Sequence, residues 1–263
     1  MKLSFDHEFS LSDLDQAQEL AWNAFEEPSS IQRKKLAHQA LELSKDCADA
    51  YIILAEETKS LAKAIELYTN AVEAGKRVIG TKNFKEWHGH FWGCLETRPF
   101  MRAKASLAAC LEEIGQRDAA IAHYQEMLRL NPTDNQGIRH ELILCLFRGK
   151  YDEELNKLFK QYEDDPFAVW IYHHALWIFR KKGVSNLANQ KLTEAIEANT
   201  HVPDYLLGRK KIPKLLPDYI KLGDETEAVT YVYEAKEDWE VTPGALSWLK
   251  EHVAPNGTPV DVG

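Results

Sequence analysis

The chain lacks the features that mark membrane, secreted and nucleic-acid-binding proteins. Its richest apolar stretch, residues 167–179, is split by His173 and His174 and is shorter than the roughly 20 residues that a membrane-spanning helix needs. Acidic residues near the start, Asp6 and Glu8 among them, interrupt any basic and then apolar targeting segment. A net charge of −9 opposes binding to nucleic acid or anionic membranes. We therefore expect a soluble, cytoplasmic protein with neither as its partner.

Cysteine is sparse and has no clustered pattern. The four cysteines, Cys47, Cys94, Cys110 and Cys145, include no Cys-x-x-Cys pair. Cys110 and Cys145 fall on predicted apolar helix faces, which favours reduced thiols in a core over disulfides.

Motifs of catalysis are also missing. The sequence has no glycine-rich phosphate loop, no nucleophile elbow and no carboxylate–histidine set at helical spacing. We expect neither enzymatic activity nor a cofactor.

What the chain does contain is a period. Gly115, Gly149 and Gly183 recur every 34 residues, and Pro132 and Pro166 repeat the same interval, each after Asn or Asp. This is the period of tetratricopeptide-type helix–turn–helix repeats.

The stretch 101–135 shows the physical basis of the period. Leu107 and Leu111 lie at helical spacing, Gly115 provides the turn, and Tyr124 lies on the apolar face of a second helix. Pro132 then prevents the helix from continuing. An ordinary helical hairpin in a bundle is the alternative.

The pattern predicts an all-α fold, a right-handed α-solenoid of about five or six tetratricopeptide-like helix pairs in one domain, residues 1–253. Its expected parts are N-terminal helix pairs (1–75), an aromatic and histidine-rich connecting loop (76–100), three in-frame repeats (101–200), a capping loop with helices (201–253) and a flexible tail (254–263).

In such a solenoid the first helix of each pair lines the concave face. The predicted partner-binding residues, basic and aromatic, are Arg98, Arg102, Arg139, His140, Trp170, His173, His174, Trp177 and Arg180. Such residue types dominate binding energies at interfaces. Two alternatives remain open: the tryptophans pack between helices, and Arg98 or Arg102 pairs with Asp134 or Glu96.

Residues 81–101 depart most from simple repetition. His88, His90 and Cys94 could supply three metal ligands if the loop curled around them, and with Glu96 they suggest a metal-dependent or thiol enzyme. Alternatively, the aromatic residues of this stretch pack a loop onto the repeats. A second irregular stretch follows Thr200, and its basic run 209–211 is either a solvated loop or a phosphate or nucleic-acid site.

Several runs resemble a known family. They are residues 96–103 (ETRPFMRA), 131–139 (NPTDNQGIR), 199–208 (NTHVPDYLLG), 223–224 (GD) and 243–246 (PGAL). Together they are similar to bacterial tetratricopeptide proteins related to the eukaryotic suppressor of tumorigenicity seven family. The resemblance spans about 91–249, leaves the N-terminal third outside, and implies a helical repeat protein without an established activity. The membrane spans and zinc motif of some relatives have no counterpart in this sequence. The resemblance therefore implies neither a membrane location nor a bound metal for this chain.

We conclude from the sequence that this is a protein–protein interaction module that binds an extended peptide or a helix of a partner in its groove. A peptide-sensing regulator, whose superhelix tightens on a small peptide, is a second reading of the same groove.

Overall fold

The structure is a computed structural model that describes residues 12–253. Within this range the regular elements are thirteen α-helices and two short 3-10 turns. The described chain divides into two compact units, residues 12–139 and residues 140–253. The tail predicted at 254–263 lies outside the described residues.

Unit 1 consists of paired helices. They are α1 (Asp13–Glu26), α2 (Ser30–Leu43), α3 (Ala48–Glu56), α4 (Leu61–Glu86), α5 (Arg98–Glu113) and α6 (Arg117–Leu130). The first begins with a capping box, in which Ser12 Oγ accepts a hydrogen bond from the Asp15 amide while the Asp15 carboxylate accepts one from the Ser12 amide. Helices α1 to α4 begin within the range 1–75, where the sequence predicted the N-terminal helix pairs.

The packing of unit 1 is that of stacked hairpins. Each first helix packs on its own partner (α1 on α2, α3 on α4, α5 on α6) and on the first helix of the next pair (α1 on α3, α3 on α5). The second helices α2 and α4 also contact the pair that follows. Each hairpin therefore buries its apolar side against the next one, as in helical repeat proteins.

The predicted connecting loop at 76–100 is largely helical, which corrects the expectation. Helix α4 runs to Glu86 through a kink at Gly80, where φ is 69°. Beyond it, two 3-10 turns (Phe91–Gly93 and Leu95–Thr97) lead into α5. Phe84 lies edge-on to Phe91 and Phe100, with ring centroids 4.9 and 5.7 Å apart, so aromatic packing continues past the kink.

Unit 2 is built from the C-terminal helices. Helix α7 (Ile138–Gly149) crosses the boundary, and α8 (Asp152–Gln161), α9 (Ala168–Lys182), α10 (Asn186–Ala198), α11 (Val202–Leu206), α12 (Glu225–Val241) and α13 (Ala245–Glu251) follow. Helix α9 contacts α10, α12 and α13. The short α11 was not expected, because a proline normally keeps a helix from continuing; Pro203 stands in the first turn, where its missing amide hydrogen is not needed.

The repeat frame is kept with one local change. Gly115 and Gly183 take φ values of 79° and 65°, as the turns after α5 and α9 require. At the middle position the helix includes Gly149, and Lys150 adopts the left-handed conformation with φ of 59°. The predicted turn is therefore present but is displaced by one residue.

The close approach of α4 and α5 depends on Gly75. A Cβ atom at this position would lie 2.7 Å from the Cβ of Phe100. Helix propensity alone would favour alanine by up to about 1 kcal/mol. We nevertheless expect Gly75→Ala to lower the free energy of unfolding by about 1–3 kcal/mol, because overpacking outweighs propensity.

Urea unfolding followed by circular dichroism measures this effect. Gly93→Ala is the matched control, since a Cβ at Gly93 meets no atom within 4 Å. An unchanged midpoint for Gly75→Ala would show that the two helices can separate without cost.

Candidate functional site

Two of the predicted binding residues, Arg98 and Arg102, line a pocket of about 430 Å³ within unit 1. The walls come from α1, the start of α3, the C-terminal half of α4 and the entry to α5. The lining residues are Leu14, Asp15, Gln18, Trp22, Asp46, Ala48, Asp49, Gly75, Val78, Leu95, Glu96, Arg98, Pro99 and Arg102. The pocket thus lies along the first helices of three successive pairs, which is where the repeat argument places a groove.

The apolar part of the lining is unusually exposed. Trp22 is 59% exposed and Leu95 is 68% exposed, and Val78 lies with them at the pocket. When a ligand covers large apolar side chains that were in contact with water at a concave surface, the free energy of the system falls, which favours binding. Trp22 and Leu95 were not among the residues that the sequence predicted, because a helical pattern does not show which apolar positions stay uncovered.

The polar floor of the pocket is Asp49, which is only 1% exposed. Its carboxylate accepts hydrogen bonds from Arg102 at 2.6 Å and from the Gln18 side-chain amide at 2.7 Å. Arg102 therefore pairs with Asp49. The sequence had suggested Asp134 or Glu96 as its partner instead. Because Asp49 lies on α3, Gln18 on α1 and Arg102 on α5, one carboxylate joins three helices.

Arg98 is also held locally. Its Nε donates a hydrogen bond to the Trp92 carbonyl oxygen at 3.1 Å, and its guanidinium lies 5.4 Å from the centroid of the Trp92 ring. These contacts tie the start of α5 to the first 3-10 turn, Phe91–Gly93.

The pocket lining is more acidic than basic, contrary to the basic groove that we expected. Four carboxylates line it, Asp15, Asp46, Asp49 and Glu96, against the two guanidinium groups. Asp46 is paired with Arg77 at 2.7 Å and Asp49 with Arg102, whereas Glu96 is exposed at the rim.

Arg139 serves the turn before α7. Its side chain pairs with the Asp134 carboxylate at 3.0 Å, and the same carboxylate accepts hydrogen bonds from the backbone amides of Ile138 and Arg139. Asp134 therefore caps the start of α7.

In unit 2, Trp170 and His173 are buried, which corrects their assignment as partner-binding residues. Trp170 is 2% exposed and packs against the rings of Phe159 and Tyr162. His173 is fully buried and contacts Asp238 at 3.3 Å. Both lie on α9, which other helices cover on several sides, so neither side chain can reach a partner.

The remaining predicted residues of unit 2 are half-buried and bonded internally. Trp177 Nε1 and Arg180 both donate to Asp152, at 2.9 and 3.0 Å. His140 lies 2.7 Å from the Asp165 carboxylate. The structure brings Trp177 and Arg180 together, but both side chains serve to join α9 to the start of α8.

His174 packs in a cluster with two aromatic rings, which also contact each other. It stacks on Phe159 with centroids 4.2 Å apart and faces Trp177 at 6.0 Å. Burial, aided by the positive charge of Lys191, lowers the pKa of His174 to about 4.

The proposed ligands of a metal do not converge. His88 and His90 are exposed and Cys94 is half-buried. Among residues 12–253, no three His, Cys, Asp or Glu side chains are grouped so that they could hold a metal ion. Phe91, which is fully buried, fastens this stretch to the helices instead.

The cysteines are free thiols. Cys145 lies in the core as predicted, whereas Cys110 is only half-buried. Cys47 is buried too, and burial raises the pKa of its thiol to about 11, so this cysteine is not a reactive thiolate.

Comparison with known proteins decides the family. The model of the ST7 protein family matches residues 4–258. The chain belongs to the ST7 protein family. The match confirms the resemblance and also includes the N-terminal third, which the sequence motifs had left outside.

Relatives within the ST7 family include animal proteins. "Suppressor of tumorigenicity 7 protein-like" of Homo sapiens is 27% identical over 259 residues, which cover 90% of this chain and 44% of the human protein. "Protein ST7 homolog" of Drosophila melanogaster is 26% identical over 255 residues, which cover 88% of this chain and 47% of the fly protein. The chain therefore spans somewhat less than half the length of these relatives.

A solved structure supports the fold. The chain is similar to YrrB, described as "a TPR protein with an unusual peptide-binding site", with a TM-score of 0.50 and 18% identity over 70% of this chain and 84% of YrrB. The ST7-family chain is thus an all-α solenoid of tetratricopeptide type, while the right-handed twist stays a prediction. Across the described residues, no helix is both long enough and apolar enough to cross a membrane.

The depressed pKa of His174 predicts acid sensitivity of this ST7-family chain. His174 binds a proton less readily in the folded state than in the unfolded state. Neutral His174 therefore makes its full contribution to stability above the unfolded pKa of about 6.5, and this contribution is lost as the pH falls toward about 4. When the pH is lowered from about 7 to about 5, the free energy of unfolding of the unmodified protein should fall by about 1–2 kcal/mol more than that of His174→Phe.

Denaturant unfolding at both pH values provides the measurement. His38→Phe, at an exposed position on α2, serves as the control and should follow the unmodified protein. Equal acid losses in the His174 variant and the unmodified protein would contradict the assignment.

Proposed function

We propose that this chain is a non-catalytic protein–protein interaction module whose unit 1 pocket binds an extended segment of a partner protein. The observation that carries the proposal is the combination of exposed Trp22 and Leu95 above a buried polar floor. A pocket of about 430 Å³ lies within the size range of ligand-binding pockets and has room for more than one side chain of such a segment.

The energetics favour an apolar anchor. Burying one large apolar side chain contributes about 1.5–3 kcal/mol. The floor adds little further binding, because Asp49 is already bonded to Arg102 and Gln18. The satisfied floor instead keeps the cleft in shape before the ligand arrives, which reduces the entropic cost of binding.

The charge of the lining indicates which flanking residues the partner carries. Asp15, Asp46 and Glu96 line the pocket together with the apolar side chains, and Asp46 pairs with the exposed Arg77. We infer that the bound segment places a lysine or arginine beside its apolar anchor. Electrostatic complementarity of this kind sets specificity and association rate more than affinity.

The pocket favours binding over chemistry. Asp49 and Arg102 neutralise each other, and Asp15 is engaged in the cap of α1. None of these groups is positioned as a general acid or base with a partner to activate. YrrB, which shares the fold, has a peptide-binding site of its own, and we extend peptide binding to this chain as a proposal.

Of the predicted site residues, Arg98 and Arg102 stay in the proposed site. The free cysteines are in keeping with the cytoplasm, which we propose as the location. A peptide-sensing regulator would use the same pocket and would respond to a short free peptide.

Selection from a library of random peptides displayed on phage tests the pocket directly. We expect enriched peptides to share an apolar residue next to a basic residue. The double variant Trp22→Ala with Leu95→Ala should bind them at least about tenfold more weakly, since it removes the apolar anchor site.

Ile31→Ala is the matched control, because Ile31 is 76% exposed and lies outside the pocket. Far-UV circular dichroism should be the same for all variants. Equal binding by the double variant and the unmodified protein would refute this site for the module.

A second variant tests the charge. Glu96→Lys should weaken binding of the same peptides about two- to fivefold, with a smaller loss at high salt, because an exposed charge is screened. Glu86→Lys, exposed and outside the pocket, makes the same charge change as a control. Titration by fluorescence anisotropy measures both, and equal losses in the two variants would show that only net charge matters.

A further inference from the structure

The segment 209–222, between α11 and α12, exposes an unusual amount of apolar surface. Leu215 is 86% exposed, Tyr219 is 67% exposed and Ile220 is 51% exposed, with Leu222 close behind. We call residues 209–222 the basic–apolar loop. Single exposed apolar residues are normal, but several within one short segment mark an interaction surface.

The same loop concentrates positive charge. It contains Arg209, Lys210, Lys211, Lys214 and Lys221 against one acidic residue, Asp218, which gives a local charge of +4 in a chain of net charge −9. Lys210 pairs with Glu225 at 2.7 Å and Arg209 with Asp204 at 3.4 Å. Lys211, Lys214 and Lys221 are exposed.

Both ends of the loop are fastened to unit 2. At the start, the Lys210 amide donates to the Asp204 carbonyl oxygen at 3.0 Å. At the end, the Lys221 amide donates to Thr226 Oγ1 at 2.9 Å. The exposed leucine, tyrosine and isoleucine side chains therefore project from a base that is fixed on α11 and α12.

We propose that the basic–apolar loop binds the surface of a membrane rich in anionic phospholipid. The lysines lie at the level of the headgroups, while Leu215, Tyr219 and Ile220 insert into the boundary between headgroups and acyl chains. The loop rests on the surface and does not span the bilayer, and no helix within residues 12–253 could cross it.

The net charge of the whole chain led us to expect no membrane binding. Contact with a membrane depends instead on the charge of the segment that touches it. Electrostatic forces between exposed groups are screened over about 8 Å at physiological salt. In a loop that combines cations with exposed apolar side chains, attraction to anionic lipid and burial of apolar area both favour binding to the membrane surface. A lipid surface also adapts to an irregular segment, whereas a folded protein partner must supply a cavity of matching shape.

Co-sedimentation of the purified full chain with vesicles tests the proposal. We expect binding to vesicles of phosphatidylcholine mixed with phosphatidylserine, weaker binding at high salt, and little binding to phosphatidylcholine alone. Lys211→Glu with Lys214→Glu should reduce the binding constant at least about tenfold, and Leu215→Ser with Tyr219→Ser should also do so.

Matched controls make the same chemical changes elsewhere. Lys82→Glu with Lys85→Glu reverses two exposed charges at the same spacing, and Ile31→Ser with Tyr233→Ser removes an exposed aliphatic and an exposed tyrosine. Both should retain vesicle binding.

Absence of binding by the unmodified protein would overturn the proposal, as would equal losses in loop and control variants. If loop variants keep vesicle binding but lose a protein partner, the loop is a protein interface and the proposal is wrong. The peptide-binding variants of the pocket do not enter this test, so the two ideas can fail separately.

Discussion

The buried carboxylate of Asp49 is the interaction on which unit 1 depends. An ionised carboxylate that is 1% exposed is costly, by several kcal/mol, unless other groups bond to it. Here Arg102 of α5 and Gln18 of α1 reach it on α3, at 2.6 and 2.7 Å. Three successive first helices are thereby held in one register, and the groove that they line has a fixed floor. Beside this floor, Trp22 and Leu95 remain exposed to solvent.

Unit 2 uses the same device, and this explains why its histidine and arginine residues contact other parts of the unit. Asp238 is 3% exposed and binds Arg148 and His173. Glu227, 4% exposed, accepts hydrogen bonds from the amides of Ala168 and Gly223 and from the side chain of Asn199. Breaking such a network leaves an unpaired buried charge, so these contacts hold the helix ends together. Residue types that mark an interface at an exposed surface therefore serve packing here.

The sequence predicted the helices well but the binding residues poorly. Spacing of apolar residues and turn glycines located most helix pairs, because both are local properties of the backbone. Trp170 and Trp22 both lie on first helices, yet one is 2% and the other 59% exposed. No local pattern separates them, since each depends on what neighbouring helices cover. The arginines follow the same logic: Arg102 finds its partner 53 residues away, which no spacing rule reaches.

By itself the sequence determined the class of fold, the repeat length and the concentration of positive charge at 209–211, because periodicity and composition are written directly in the order of residues. Only the tertiary structure decided that the pocket is acidic and apolar, that helix α4 continues to Glu86, and that Leu215 and Tyr219 stay in water. The physical reason is that burial and pairing are properties of surfaces brought together from distant parts of the chain. Their free energy depends on the neighbours that folding supplies.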